Sequence, residues 1–226
     1  GGIIYDKLFL MSHSAEDPYR TSRRLGNVDY PEGSSTDMAA KALVVEGICF
    51  AEQWPTAKTY KAVWVTPPPD MVDEINKERP LHKAEGYSST MSLDQLRAAI
   101  SKYGSCMIAI EVYDNYITMR GGDGTFPDPR GEAVGGHALC AVGYDSNWIY
   151  AISSWGEVCG KPGLHHVATD QIHRLSNRYL EQGLIGAYPV IDHEDVIRMY
   201  GSHVTFILTS VEKAEWSIDG TAVGVT

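Results

Sequence analysis

A histidine at position 137 opens the apolar run GGHALCAVGY, and sixteen residues further on Ser153-Ser154-Trp155-Gly156 closes a second run, WIYAISSWG. One titratable ring at the mouth of a buried strand can serve as a general base, provided a third group fixes its tautomer and a nucleophile lies within hydrogen-bond reach. His137 is the candidate for that role. Other polar residues that could carry chemistry read more plainly. His165-His166 in LHHVAT has no carboxylate or cysteine at ligand spacing, so the pair reads as a strand with one buried and one exposed ring. The four cysteines, Cys49, Cys106, Cys140 and Cys159, form no C-x-x-C pair, which argues against a zinc cage and against a dense disulfide framework. Cys49, Cys106 and Cys140 lie in apolar runs and are expected to act as small core residues. GGDGTF, residues 121–126, matches neither a phosphate loop nor a full calcium ligand set, and reads as a flexible loop beside a cleft. No metal and no cofactor is expected.

The elements that must position such a ring fall into two styles. STDMAAKALVVE, residues 35–46, carries Met38, Ala39, Ala42, Leu43 and Val45 near helical spacing behind a hydroxyl-rich start, with Asp37 in the first turn. That pattern predicts a largely buried helix with N-cap chemistry. After the proline-rich bridge VTPPPDM, SLDQLRAAISKYG (residues 92–104) predicts a second helix between a serine cap and a terminal glycine. Beyond it the period changes. CMIAIEVY, HALCAVGY, NWIYAISS and LIGAYPV are short β-branched and aromatic runs separated by Gly, Asp and Pro, which read as strands of an antiparallel sheet or barrel. A helical N-terminal half followed by a β-rich half is an α+β arrangement with a cleft between two lobes. HVTFILTS and the SIDGTAV turn read as a β-hairpin appended after the main domain.

Composition narrows the function classes. With 226 residues the chain can bury a sizeable core. The formal charge of -10, from 29 acidic against 19 basic residues, leaves no broad cationic face, so nucleic acid is not an expected partner. No apolar run approaches the ~20 residues of a membrane span. The first twenty residues lack the basic start and long apolar centre of a secretory signal, so neither a membrane segment nor a signal peptide is expected in this chain.

The block GGHALCAVGY, a short turn, WIYAISSWG and then CGKPG resembles the papain-like cysteine peptidases, whose C-terminal lobe carries Gly-His-Ala-x-x-x-x-Gly-Tyr followed by Asn-Ser-Trp-Gly. The matching residues are Gly136-His137-Ala138, Gly143-Tyr144, Ser154-Trp155-Gly156, and Gly160 with Gly163. DYPEGSSTDMAAKALVVEG resembles the family's segment that opens the central helix, and the likeness spans roughly residues 28–190. It implies a two-lobed fold: a helical N-terminal lobe with a central helix and a C-terminal antiparallel β-barrel-like lobe. Residues 1–195 would form that peptidase domain, and residues 196–226 a hairpin extension or the start of a further domain. The substrate would be a peptide or protein.

Carried over, the resemblance implies that His137 is the base and that Trp155 shields its orienting hydrogen bond. The nucleophile should stand at the N-terminus of the first helix, where exposed amides and the positive dipole end stabilise a thiolate. This sequence has Ser35 there, or Thr36 if the register slips by one. The orienting Asn becomes Ser153, whose hydroxyl can still accept a hydrogen bond over a shorter reach. The oxyanion-hole Gln becomes Asp29, which cannot donate unless protonated, so Asn27 is the alternative donor. Cys49 lies at the far end of the helix, away from the positive dipole. A serine hydroxyl has no accessible anion, so the expected outcome is a peptidase scaffold that is inactive or very slow. A natural pseudopeptidase that binds a peptide or other ligand, and a serine-nucleophile hydrolase or transferase on the same fold, are the alternatives.

Overall fold

The computed structural model describes residues 13–29, 33–55, 67–90, 92–119, 124–153, 171–191, 215–218 and 221–225. They divide into two compact units, Gly1–Tyr87 and Ser88–Thr226.

The described residues of the first unit include three helices: α1 (Glu16–Leu25), α2 (Thr36–Val45) and α3 (Val72–Glu78), the last running into a 3-10 turn at Arg79–His82. Among the described residues its apolar cluster comprises Cys49, Trp54 and Ile75 with Met71 against them. Polar ties accompany it. The buried face of α1 consists of Glu16, Asp17, Thr21 and Ser22. Asp17 is fully buried and receives the Arg79 guanidinium as a two-pronged fork, Nε to Oδ2 at 3.0 Å and Nη2 to Oδ1 at 2.5 Å, together with the Cys49 amide at 2.8 Å. A buried carboxylate with three charge-assisted or amide donors has its lone pairs satisfied, which is the condition for tolerating its desolvation. Arg79 also reaches Glu46 at 3.4 Å and lies over the Trp54 ring, 5.6 Å from its centroid. Glu46 is paired from its other side by Arg24. Gly47 follows α2 with φ +84°, and a Cβ there would sit 1.9 Å from the Arg79 carbonyl oxygen, so only glycine allows the 79–82 turn to approach this closely.

The second unit is built on one antiparallel sheet. Its strands are β1 (Cys106–Tyr113), β2 (Ala133–Tyr144), β3 (Trp148–Ser153), β4 (Gln171–Ser176), β5 (Leu184–Tyr188), β6 (Glu215–Ile218) and β7 (Thr221–Val225). The main path runs β4-β3-β2-β1-β5, and the β6–β7 hairpin joins β2 where Glu215 pairs Tyr144. Among the described residues the path stays open, because β4 and β5 at its two ends are not paired with each other. In β1, burial alternates strictly: Cys106, Ile108, Ile110 and Val112 point inward and their neighbours outward, the period-2 signature of a half-covered sheet.

Helix α4 (Leu93–Tyr103) covers the inner face. Ser92 caps it by accepting the Gln95 amide at 3.2 Å, and Gly104 ends it in the left-handed region at φ +77°. Leu96, Ala99 and Ile100 lie at helical spacing and meet Ile108, Ile110, Leu139, Ile149 and Leu175 in one core cluster. Helix α5 (Asn177–Gly183), capped by Ser176, adds Tyr179 and Leu180. Each fully buried aliphatic side chain contributes about 1.5–3 kcal/mol over its exposed state.

Several expectations are adjusted. The first predicted helix is only partly covered: Ala40 and Ala42 are buried, whereas Val45 is 46 % exposed. Cys49 and Cys106 are core residues, but Cys140 is exposed, because in β2 it shares the outer face with Met107 opposite it. β2 begins at Ala133, so His137 stands inside the strand and not at its mouth. Gly124 and Phe126 of the expected flexible loop are anchored: the Arg174 amide donates to the Gly124 carbonyl at 3.1 Å, the Phe126 amide donates to the Arg174 carbonyl at 2.9 Å, and the Phe126 ring is in the core. The HVTFILTS run and the LHHVA strand lie outside the described residues.

Candidate active site

Ser35 is the N-cap of α2, with extended backbone at φ -89° and ψ 133°, and Thr36 is the first helical residue. The Ser35 side chain is exposed and makes no cap hydrogen bond to the helix. Two other serine caps among the described residues behave differently: Ser92 accepts from the Gln95 amide and Ser176 from the Tyr179 amide at 3.0 Å. A cap serine ordinarily stabilises its helix through that bond. Ser35 leaves its hydroxyl directed elsewhere, at a helix end whose unpaired amides carry partial positive charge. Thr36 is half-buried beside it.

Asn27 and Asp29 both lie in the exposed segment after α1. Asn27 adopts φ 50°, the left-handed conformation that asparagine tolerates better than most residues, and its amide donates to the Arg24 carbonyl at 3.3 Å. Its backbone therefore has a structural reason to be asparagine, in addition to any donor role.

In the second unit His137 sits on β2 opposite Ile110 of β1. β2 and β3 pair with Cys140 opposite Ile152, so one further step sets Ser153 opposite Leu139. Alternate residues share a face, which puts His137, Leu139 and Ser153 on the same inner side. Ser153 is 3 % exposed and is the last β3 residue on the ladder, paired with Gln171 of β4. Diagonal neighbours of this kind stand about 7–8 Å apart, with their Cβ atoms somewhat closer, a gap that the longer asparagine side chain spans better than a hydroxyl. Trp155 lies outside the described residues.

Burial holds the His137 imidazole well below its ordinary range, at about 4, and the nearby His173 ring adds to the depression. The ring is thus neutral near pH 7, with its affinity for a proton lowered by burial. His173 is a site neighbour that motif reading did not find. It is fully buried on β4, its Nδ1 lies 3.1 Å from the Gly124 carbonyl oxygen, and Phe126 meets its ring edge-on at 5.3 Å. Since a carbonyl only accepts, Nδ1 carries the proton. Burial also lowers the affinity of His173 for a second proton. The only signal in the sequence was its inward parity on QIHRLS, and that depends on a register the sequence does not state.

The buried thiols are poor nucleophiles. Desolvation, then the charge and hydrogen bond of Asp17, push Cys49 up to about 12, and desolvation pushes Cys106 up to about 12. Among the described residues no group of three His, Cys, Asp or Glu side chains could hold a metal ion. The arrangement supplies an exposed hydroxyl at a helix N-terminus in one unit and a neutral imidazole with an inward-facing serine in the other.

No family model and no curated protein sequence matches the chain. Solved structures do. Xylellain, a cysteine protease from Xylella fastidiosa, superposes with a TM-score of 0.63 at 21% identity, over 80% of this chain and 70% of that one. A cysteine protease of Carica candamarcensis gives 0.53 at 17% identity, covering 84% and 83%. The digestive procathepsin L 3 of Tenebrio molitor larval midgut gives 0.56 at 18% identity, covering 84% of this chain and 58% of that one. The fold is that of the papain-like cysteine proteases: helices followed by an antiparallel sheet.

Proposed function

We propose that the chain is a papain-like peptidase scaffold acting on peptide or protein substrates, in which Ser35 occupies the nucleophile position and Thr36 is its alternative. The observation that carries this reading is the Ser35 hydroxyl: exposed at the N-terminus of α2 and, unlike Ser92 and Ser176, not engaged in capping its helix. A nucleophile at that point gains from the helix-end amides twice, in its own charge and in the charge of an oxyanion formed beside it. His137 is the proposed base, Ser153 and Trp155 its supports, and Asn27 or Asp29 the contributors to the oxyanion site. With a hydroxyl in place of a thiol the proton must leave during the attack itself, so the chain is proposed to be inactive or very slow as it stands.

The test is Ser35→Cys. The introduced thiol should react with a thiol-directed electrophile, and His137→Ala in the same background should abolish that reaction. A folded Ser35→Cys protein whose position 35 stays unlabelled would sink the peptidase reading in favour of a ligand-binding pseudopeptidase.

One observation favours a second reading, a serine-nucleophile hydrolase or transferase: the Ser35 hydroxyl is exposed at the helix end and makes no cap bond. In that reading His137 would take the hydroxyl proton, against the lowered proton affinity that burial gives it. A serine-directed fluorophosphonate that labels Ser35 in the unaltered chain, and fails to label His137→Ala, would establish it.

A further inference from the structure

The two residues before Ser35 are held almost entirely by α1. Gly33 has φ +85°, a left-handed conformation open to glycine at little cost. Its amide donates to the Tyr19 hydroxyl at 3.1 Å, and its carbonyl accepts from Arg23 Nη1 at 2.6 Å. Ser22 and Ser34 share a hydroxyl pair at 2.5 Å. The direction of that bond follows from a third contact: Ser22 Oγ gives its proton to the Tyr19 carbonyl at 2.7 Å, so Ser34 must be the donor. Ser22 is fully buried. The Tyr19 ring is itself flanked by two guanidinium groups, with Arg20 at 5.0 Å and Arg23 at 5.8 Å from its centroid.

We infer that Tyr19, Ser22 and Arg23 are positioning residues for the hydroxyl at Ser35, an inference that rests on the reading of Ser35 as the nucleophile position. Both backbone polar groups of Gly33 and the side chain of Ser34 are bound by one turn of α1. The chain therefore enters α2 along a fixed path, and the direction of the Ser35 side chain is set before the helix begins. Such a device matters because a cap serine left to itself turns back onto its own helix amides, as Ser92 and Ser176 do. Tyr19, Ser22 and Arg23 act through the bonds they make to Gly33 and Ser34.

The experiment uses the full chain with Ser35→Cys and reads alkylation by iodoacetamide at position 35, followed by mass spectrometry of that peptide across a pH series. In the parent the thiol should titrate below the ordinary value of about 8.5, because the helix end favours the thiolate. Adding Tyr19→Phe or Arg23→Ala should slow alkylation near neutral pH about three- to ten-fold, the worth of one hydrogen bond, and move the titration midpoint upward. Arg23→Lys, which keeps one donor, should recover part of the loss. Exchange of the Cys49 amide, bound to Asp17 in the same unit, serves as the control for general loosening. Unchanged rates and midpoints in both variants overturn the inference and leave the Ser35 reading standing. A shift matched by an equal loss of Cys49 protection also overturns it, since the effect is then one of stability alone. An ordinary thiol profile in the Ser35→Cys parent overturns the reading and the inference together.

Discussion

The two units are held together by different physics. In the second, fifteen buried residues form one apolar cluster between a sheet and two helices. Among the described residues of the first, the apolar cluster has three buried members, and a long-range tie is made by a fully buried carboxylate forked by an arginine sixty-two positions away. Apolar contacts are non-directional and lose only part of their worth when one member shrinks. A buried ion pair is different, because removing one partner strands the other without solvent. Among the described residues, the first unit therefore rests heavily on a few polar side chains, whereas the second spreads its contacts over many apolar ones.

The largest expected effect tests that concentration. Asp17→Ala should cost the first unit about 3–5 kcal/mol, because it leaves the Arg79 fork and the Cys49 amide without their acceptor. Amide exchange at Cys49 is the direct readout, and a loss below about 1 kcal/mol would mean the pair is not the tie described here.

Next comes acid. His137 in the folded chain is depressed to about 4 against an ordinary value of 6.5. The unfolded chain thus binds the proton more readily, so stability is fully present above about pH 6.5 and falls as pH drops from there to about 4. The loss in the second unit should be on the order of 3 kcal/mol. His173, also lowered by burial, pulls in the same direction. Denaturation at a series of pH values should show the slope, and His137→Gln should flatten it; an identical slope in the variant would remove His137 as its source.

A conservative trim in the second unit should be milder. Ile108→Val removes one methylene from a fully buried position, at about 0.5–1.5 kcal/mol, with neighbours still in contact around it. A larger loss in equilibrium denaturation would show that the apolar cluster is less tolerant than its size suggests.

The smallest effect is the most discriminating. Ser92→Ala and Ser176→Ala should each cost about 1 kcal/mol, since both hydroxyls cap a helix. Ser35→Ala should change stability by no more than a few tenths of a kcal/mol, because no cap bond is lost. Three equal costs would show that Ser35 is an ordinary cap in solution.

Legibility in the sequence followed the same division. Periodic apolar segments were readable: the helices at 36–45 and 93–103 and the strand Cys106–Tyr113 lie where their spacing and punctuation put them. Helix α1 was not, because the face it buries is Glu16, Asp17, Thr21 and Ser22, and a polar buried face leaves no apolar stripe. The first four residues of β2, Ala133-Val134-Gly135-Gly136, were missed since all are exposed and none alternates with a buried neighbour. At the candidate site, His137 drew notice as a titratable ring opening an apolar run, while Ser35 and the serine-tryptophan motif were named through the likeness to the papain-like peptidases. His173 did not stand out, and neither did the role of Tyr19, Ser22 and Arg23.

By itself, then, the sequence determined what short-range chemistry controls: the α+β class, the helix starts at Ser35 and Ser92, the glycine stop at Gly104, and the strand at Cys106–Tyr113. Tertiary structure decided which polar groups share the dark side of each unit. It bound Asp17 to Arg79 and Gly33 to α1, brought the Gly124 carbonyl to His173, and left the Ser35 cap without a side-chain bond to its own helix. The physical reason is that local spacing sets where a side chain points, whereas the worth of a buried polar group depends on a partner supplied from elsewhere in the chain.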